Sequence, residues 1–202
     1  MIRAFLAVEL SGALRAELAT VQQELRRRIG PEVKRGMRVT WPQPASIHLT
    51  LKFLGEIDEQ RIEPLRAALG PLIGSRQAVS VPLERFGVFP HPQRPRVVWM
   101  GPSESWEKGV EAEQVGDLHR AIEQACEGFG YPRETRPFSP HLTLVRIKLG
   151  ERQLGAALAR DGMLDHPRSS GSVAVESVVL MRSDLKPAGS VYTRLWEARL
   201  RS

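Results

Sequence analysis

The sequence predicts an α+β fold built mainly on antiparallel sheet. Short runs rich in β-branched and aromatic residues indicate strands, and longer runs with apolar residues every three or four positions indicate helices. Their order is too irregular for the strand–helix alternation of a doubly wound parallel sheet. The chain has 202 residues, of which 42% are hydrophobic. That is enough for one globular domain, and we treat residues 1–202 as a single unit.

Start or stop signals mark three of the four predicted helices. Ser11 is a candidate N-cap for the first, which Gly30-Pro31 is expected to end, and Gly130 and Pro132 end the third. The predicted helices cover residues 13–29, 58–73, 111–129 and 152–159.

The predicted strands are bounded by proline, glycine and other turn-forming residues. Residues 34–46 are a strand or a loop, because Pro42 and Pro44 interrupt them, and the proline-rich residues 89–95 form a connection. Residues 185–189 form the turn before the last strand. The predicted strands cover residues 2–8, 47–54, 79–86, 96–100, 141–147, 173–182 and 191–200.

The chain is basic, with 29 Lys and Arg against 23 Asp and Glu and a formal net charge of +6. Only five of the basic residues are lysine, so the charge is mostly guanidinium, whose planar donors match phosphate oxygens. A polyanion partner is one explanation of this charge, and an arginine-rich genome is the other.

A single cysteine, Cys126, excludes an intrachain disulfide and fits a reducing cytoplasm, where we expect the protein to reside. It falls within an apolar-periodic helix, which favours a buried small side chain over a nucleophile. The sequence shows no secretory signal and no apolar run long enough to cross a membrane. We therefore expect no membrane association, and a monomer.

One tetrapeptide, His-Leu-Thr-Leu, occurs twice, beginning at His48 and at His141. Side chains alternate between the faces of a strand, so each histidine shares a face with its threonine, Thr50 or Thr143, while the leucines face the core. If the two strands lie side by side, two imidazoles and two hydroxyls meet on one surface. Only five histidines exist in the chain, so a chance duplication is improbable.

This quartet suits hydrolysis of a phosphodiester. One imidazole can activate water while the other protonates the departing oxygen, and hydroxyl groups can donate to the phosphate oxygens. The chemistry needs neither a metal nor another cofactor. None of the other three histidines, His91, His119 and His166, has metal-ligand spacing, and no glycine-rich phosphate loop is present.

Two basic residues follow the motifs. Lys52 comes four residues after His48, nominally on the same face, where it either neutralises phosphate charge or ends the strand in solvent. Arg146 comes five residues after His141, so an ideal strand places it on the opposite face unless the strand bends. Phe86, Phe89, Phe138 and Tyr192 are candidates to stack a base, with core packing as the alternative.

The paired motifs and their flanks resemble the two-histidine phosphoesterases, and among them the RNA 2′,3′-cyclic phosphodiesterases, also called 2′-5′ RNA ligase-like proteins. The resemblance spans nearly the whole chain. It is carried by the two motifs and by segments that begin at Arg3, Phe86 and Arg94.

The resemblance implies two pseudo-symmetric lobes, each a mainly antiparallel sheet with helices on its outer face, and an active-site cleft between them. It also implies that RNA ending in a 2′,3′-cyclic phosphate, or a small cyclic nucleotide, is opened to a 2′-phosphomonoester. His48 would then be the proton donor and His141 the proton acceptor. The family's second motif often carries arginine at the position of Arg146, which favours that residue as a substrate ligand.

Two other functions remain open on the sequence. The same acid–base pair can run the reaction backwards, which would join tRNA halves through a 2′-5′ bond. A non-catalytic module that binds nucleotides or RNA is the third possibility, although the presence of both histidines and both threonines counts against it.

Overall fold

The computed structural model describes residues 1–186 and 189–202 and contains ten strands and four helices. Pro187 and Ala188, in the expected turn before the last strand, lie outside the described residues. The strands, in chain order, are β1 (Ile2–Glu9), β2 (Arg38–Thr40), β3 (His48–Ile57), β4 (Val79–Pro82), β5 (Arg85–Phe89), β6 (Val97–Gly101), β7 (Leu142–Leu149), β8 (Ser172–Val175), β9 (Ser177–Lys186) and β10 (Gly189–Arg199). The helices are α1 (Gly12–Lys34), α2 (Ile62–Gly74), α3 (Val110–Gly128) and α4 (Glu151–Asp161).

The strands form two four-stranded sheets and one small ladder, and all of their pairings are antiparallel. Sheet A has the order β10-β9-β1-β3, sheet B has the order β2-β7-β6-β5, and β4 pairs with β8. Helices α2 and α3 pack against sheet A, and α1 packs against sheet B and α4. The predicted α+β class with mainly antiparallel sheet is confirmed.

One hydrophobic core joins the helices to both sheets, because residues of every helix and of both sheets belong to the same buried cluster. A second, smaller cluster lies on the opposite face of sheet A and consists of Phe5, Ala7, Val179 and Met181, with Tyr192 packed against it. Cys126 belongs to the main core and is fully buried, and burial raises the pKa of its thiol to about 11. It is therefore a packing residue, as its helical periodicity predicted.

Three predicted boundaries were wrong. Residues 79–86 are two strands, β4 and β5, because the chain passes from the small ladder to sheet B at Leu83, whose backbone binds Gly171 and Ser170. Residues 173–182 are likewise split into β8 and β9. Helix α1 continues past Gly30-Pro31 to Lys34, since its last turn is held by Glu32, which accepts hydrogen bonds from Gln153 and Arg160 of α4.

No helix in the described part of the chain is both long and apolar enough to cross a membrane.

Candidate active site

The two histidines lie at the start of one strand in each four-stranded sheet. His48 begins β3 and His141 immediately precedes β7. Each Nδ1 lies 2.8 Å from the backbone carbonyl oxygen two residues earlier, that of Ser46 or Ser139. A carbonyl can only accept a hydrogen bond, so each Nδ1 carries the proton and each Nε2 is free to accept or donate one. Both copies thus present the same nitrogen for chemistry.

Each imidazole is enclosed by aromatic rings of its own sheet. His48 stacks on Phe5 at 4.6 Å between ring centroids and meets the edge of Tyr192 at 5.2 Å. His141 contacts Phe89 edge-on at 4.9 Å and Trp99 at 6.0 Å. Phe89 and Tyr192, considered as base-stacking residues on sequence grounds, therefore hold the histidines in place.

Burial is the main reason why both imidazoles favour the neutral form. It lowers the pKa of His48 to about 4, the Ser46 carbonyl opposes that change, and the positive charges of Arg146 and His141 add to it. Burial also lowers the pKa of His141, with the Ser139 carbonyl opposing and Arg146 adding. Because Arg146 acts on both rings, its guanidinium lies within electrostatic reach of the whole pair.

A β-bulge in each motif strand changes which side chains share a face with its histidine, and we call this face of sheets A and B the cleft face. Leu51 is skipped in the register of β3 with β1, since Thr50 pairs with Ala7 and Lys52 with Leu6. Leu144 is skipped in the register of β7 with β6 in the same way. Both extra residues come three positions after the histidine, and each reverses the alternation of the residues that follow it. In β3 a second skipped residue, Leu54, reverses it again.

The bulge in β7 brings Arg146 to the cleft face. Leu144 and Val145 are both buried, and Arg146 is then exposed on the same side as Thr143. A regular strand would have turned Arg146 inward, and the bulge is the irregularity that the sequence left open for this residue. Both threonines are partly exposed in β3 and β7 beside their histidines. Each threonine thus lies beside its own histidine, and Arg146, also predicted as a substrate ligand, lies within electrostatic reach of both rings.

The bulge in β3 has the opposite effect on Lys52, and the expectation that it shares the face of His48 is wrong. Lys52 is 5% exposed, and its ammonium donates to Glu123 Oε2 of α3 at 2.7 Å and to the Pro132 carbonyl at 2.8 Å. Its charge is compensated inside the protein. The residue that takes the cleft position is Phe53, which is 68% exposed and lies 6.0 Å from the Phe5 ring.

Sequence reasoning missed four residues of this site. Phe53 gave no sign of its exposure, because period-two alternation places it on the face of the motif leucines. Ser46 and Ser139 each stand two residues before a motif histidine. The sequence does indicate them, because the repeat extends beyond the tetrapeptide to these two serines. Gln22 carried no signal at all, yet it is 3% exposed in α1 and its Nε2 donates to the carbonyls of Leu144, at 2.8 Å, and Pro42, at 3.0 Å.

Two large cavities are lined by both acidic and basic residues, and neither lining includes a motif histidine. The larger, about 1250 Å³, lies between α3 and the segment before His141, and its wall includes His119 and Phe138, whose rings stack at 4.1 Å. The described residues contain no cluster of three or more His, Cys, Asp or Glu side chains arranged to hold a metal ion.

Comparison with known proteins identifies the family. The sequence pattern of the LigT-like phosphoesterases matches residues 8–99 and 109–192. A protein of Methanothermobacter thermautotrophicus named RNA 2′,3′-cyclic phosphodiesterase is 31% identical over 98% of this chain and 99% of its own, and one of Aeropyrum pernix with the same name is 33% identical over 83% and 89%.

Solved structures agree on the fold. The protein TT0787 of Thermus thermophilus superposes with a TM-score of 0.73 at 30% identity, over 98% of each chain. LigT of E. coli, crystallised with 3′-AMP, superposes with a TM-score of 0.73 at 22% identity, over 100% of this chain and 99% of its own.

We expect Gln22→Leu to release the bulge in β7. The variant leaves the buried Leu144 carbonyl without its donor, which costs about 1–3 kcal/mol of the free energy of unfolding. Arg146 is then free to withdraw, so the pKa values of His48 and His141 should rise in an NMR titration of the ring protons. The control is Gln23→Leu, at an exposed neighbour in the same helix. A loss of stability with unchanged histidine pKa values would contradict the link between Gln22 and Arg146.

We expect Lys52→Met to destabilise the protein strongly, because it leaves the Glu123 carboxylate buried without its cation. Breaking a buried pair from one side typically costs about 3–5 kcal/mol. The double variant Lys52→Met/Glu123→Leu removes both charges and should recover much of that loss in urea unfolding. Lys108→Met, at an exposed lysine, serves as the control. A double variant no more stable than the single one would show that the ion pair is not the source of the loss.

Proposed function

The chain belongs to the LigT-like phosphoesterase family, and on that basis we propose that it hydrolyses the 2′,3′-cyclic phosphate at the 3′ end of RNA to a 2′-phosphomonoester. The observation that carries the proposal is the geometry of the two imidazoles. Each is held through Nδ1, each has a free Nε2, and both lie beside a threonine and within reach of one guanidinium. Relatives named RNA 2′,3′-cyclic phosphodiesterase support the choice of substrate.

The reaction assigns one proton transfer to each histidine. Nε2 of His141 accepts a proton from water as the water oxygen forms a bond to phosphorus. The bond from phosphorus to the 3′ oxygen breaks, and Nε2 of His48 donates its proton to that oxygen. The product carries a 2′-phosphate and a 3′-hydroxyl. This assignment of donor and acceptor follows the family, since the geometry around the two rings is equivalent.

The negative charge on the phosphate is stabilised by Thr50, Thr143 and Arg146. The hydroxyls of Thr50 and Thr143 donate to the non-bridging oxygens, which become more negative in the transition state. Arg146 offers a bidentate pair of donors and a full positive charge. The mechanism has no step that requires a metal, and we propose that none takes part.

The neutral state of the free imidazoles gives the substrate a further role. His48 has a pKa of about 4 and is therefore unprotonated in the free protein near neutral pH. An anionic phosphate between Arg146 and the two rings offsets the positive potential that lowers both pKa values. Substrate binding then favours the protonated form of His48, so the bound phosphate itself generates the proton donor.

We expect full hydrolysis in EDTA of an oligoribonucleotide that ends in a 2′,3′-cyclic phosphate, with a 2′-phosphate as the product. His48→Ala and His141→Ala should each lower kcat by about 10²–10⁴, the usual contribution of a general acid or base. His166→Ala, at an exposed histidine, is the control. Unchanged substrate with the wild type would favour a non-catalytic nucleotide-binding module, and loss of activity in EDTA would overturn the metal-free mechanism.

The pH dependence should separate the free protein from its complex. Both pKa values lie below the ordinary histidine value of 6.5, so both limbs of a bell-shaped kcat/KM profile should fall below pH 6.5. The alkaline limb of kcat, which reports the bound state, should lie at higher pH because the phosphate anion raises the pKa of His48. Identical alkaline limbs in the two profiles would count against proton uptake on binding.

A further inference from the structure

The cleft has two chemically different walls. The same bulge places the fifth residue after each histidine in the cleft, and this residue is Phe53 in sheet A and Arg146 in sheet B. Around Phe53 the wall is apolar, formed by the cluster of Phe5, Met181 and their neighbours. A cation on the same face, Arg194, is neutralised by Glu9 and Glu197 at 3.3 and 3.2 Å. Around Phe53, sheet A therefore offers little to a chain of phosphates, and its exposed Arg3 lies farther along β1, opposite Glu56 of β3.

Sheet B continues the cleft as a basic strip that we define by Arg38, Thr40, Arg146 and Lys148. Thr40 of β2 pairs with Arg146 of β7, and Arg38 pairs with Leu149, the neighbour of Lys148. All four are exposed, while Val39 and Ile147 between them face the core. At about 3.3 Å per residue, Lys148 lies roughly 7 Å beyond Arg146, and the adjacent strand is about 5 Å away.

The cations of the strip are available to bind an anion. Arg35 and Arg96, which lie close to it in sequence and in the sheet, are paired with Glu32 and Glu151. Within residues 1–186 and 189–202, by contrast, no carboxylate lies within 4.0 Å of the charged nitrogens of Arg38, Arg146 or Lys148. A run of uncompensated positive charge that leads away from a phosphate site attracts a polyanion.

We propose that the strip binds the RNA strand on the 5′ side of the cyclic phosphate, with Arg38 and Lys148 contacting the phosphates that precede the terminal one. This rests on the proposed function and specifies its substrate. The protein acts on oligoribonucleotides in preference to cyclic mononucleotides, because only an oligonucleotide reaches past Arg146. Specificity is for length and backbone, since phosphate contacts carry no base information.

The test uses two substrates that share one terminal nucleotide: adenosine 2′,3′-cyclic phosphate and a short oligoadenylate with the same cyclic end. The variant Arg38→Gln/Lys148→Gln should lower kcat/KM for the oligonucleotide and leave that for the mononucleotide unchanged. Each contact of a single strand contributes about 0.7 to the slope of log affinity against log salt, so the variant slope should be shallower by about 1.4. The advantage of the wild type should then shrink about sevenfold between about 50 and about 200 mM salt.

Two further variants provide the controls. Arg61→Gln/Arg66→Gln removes the same charge from the outer helical side of sheet A, at exposed positions of α2 and the turn before it, and should change neither substrate. Arg3→Gln removes an exposed cation from sheet A. A selective oligonucleotide defect in Arg3→Gln, but not in the strip variant, would place the strand on the other wall and overturn the proposal. Equal losses for both substrates in the strip variant would also overturn it.

Failure of the proposed function is a separate outcome. If the wild type hydrolyses neither substrate, the strip is still tested by the anisotropy of a fluorescent oligoadenylate that ends in a 2′-phosphate. The strip variant must then raise Kd, with the same reduction of the salt slope, while the Arg61/Arg66 control does not. An unchanged Kd and slope would reject the strip as an RNA surface whatever the enzyme does.

Discussion

An extra residue in each motif strand determines what the cleft contains. Without the bulges at Leu51 and Leu144, Arg146 would turn into the core and Lys52 would face the cleft. A bulge leaves backbone groups out of the ladder, and they must be satisfied elsewhere. Gln22 of α1 supplies a donor to the Leu144 carbonyl. The bulge in sheet B is thus supported by a polar side chain of a helix.

The two halves share their chemistry and differ in what surrounds it. Both histidines use the same tautomer, both are tied to a serine carbonyl two residues back, and both are partly buried beside aromatic rings. The two halves differ at the fifth residue after the histidine, which is Phe53 in one half and Arg146 in the other. A duplicated histidine–threonine unit is thus combined with one apolar wall and one basic wall.

The sequence predicted the positions of site residues before each bulge better than those of residues after it. Period-two alternation was sufficient for His48, Thr50, His141 and Thr143, since they precede the bulges. It failed for Lys52 and Phe53, which follow one. In the second copy the buried doublet Leu144-Val145, followed by Ile147, breaks the alternation and could have indicated a bulge. In the first copy Lys52 hides the same signal, because a charged residue in a buried position looks like an exposed one until its partner, Glu123, is known.

The order of strands in sheet A constrains how the chain can fold. Strand β1, the first element, lies between β3 and β9, and β9 is in turn covered by β10 at the other end of the chain. During synthesis β1 can pair with β3 early, but its second edge stays open until residues beyond 177 have left the ribosome. An open strand edge invites pairing with other chains, and contacts so distant in sequence form slowly. The wall that holds His48, Phe5 and Tyr192 is therefore among the last parts of the molecule to be completed, and truncation of the C-terminal hairpin would leave the first histidine without its enclosure.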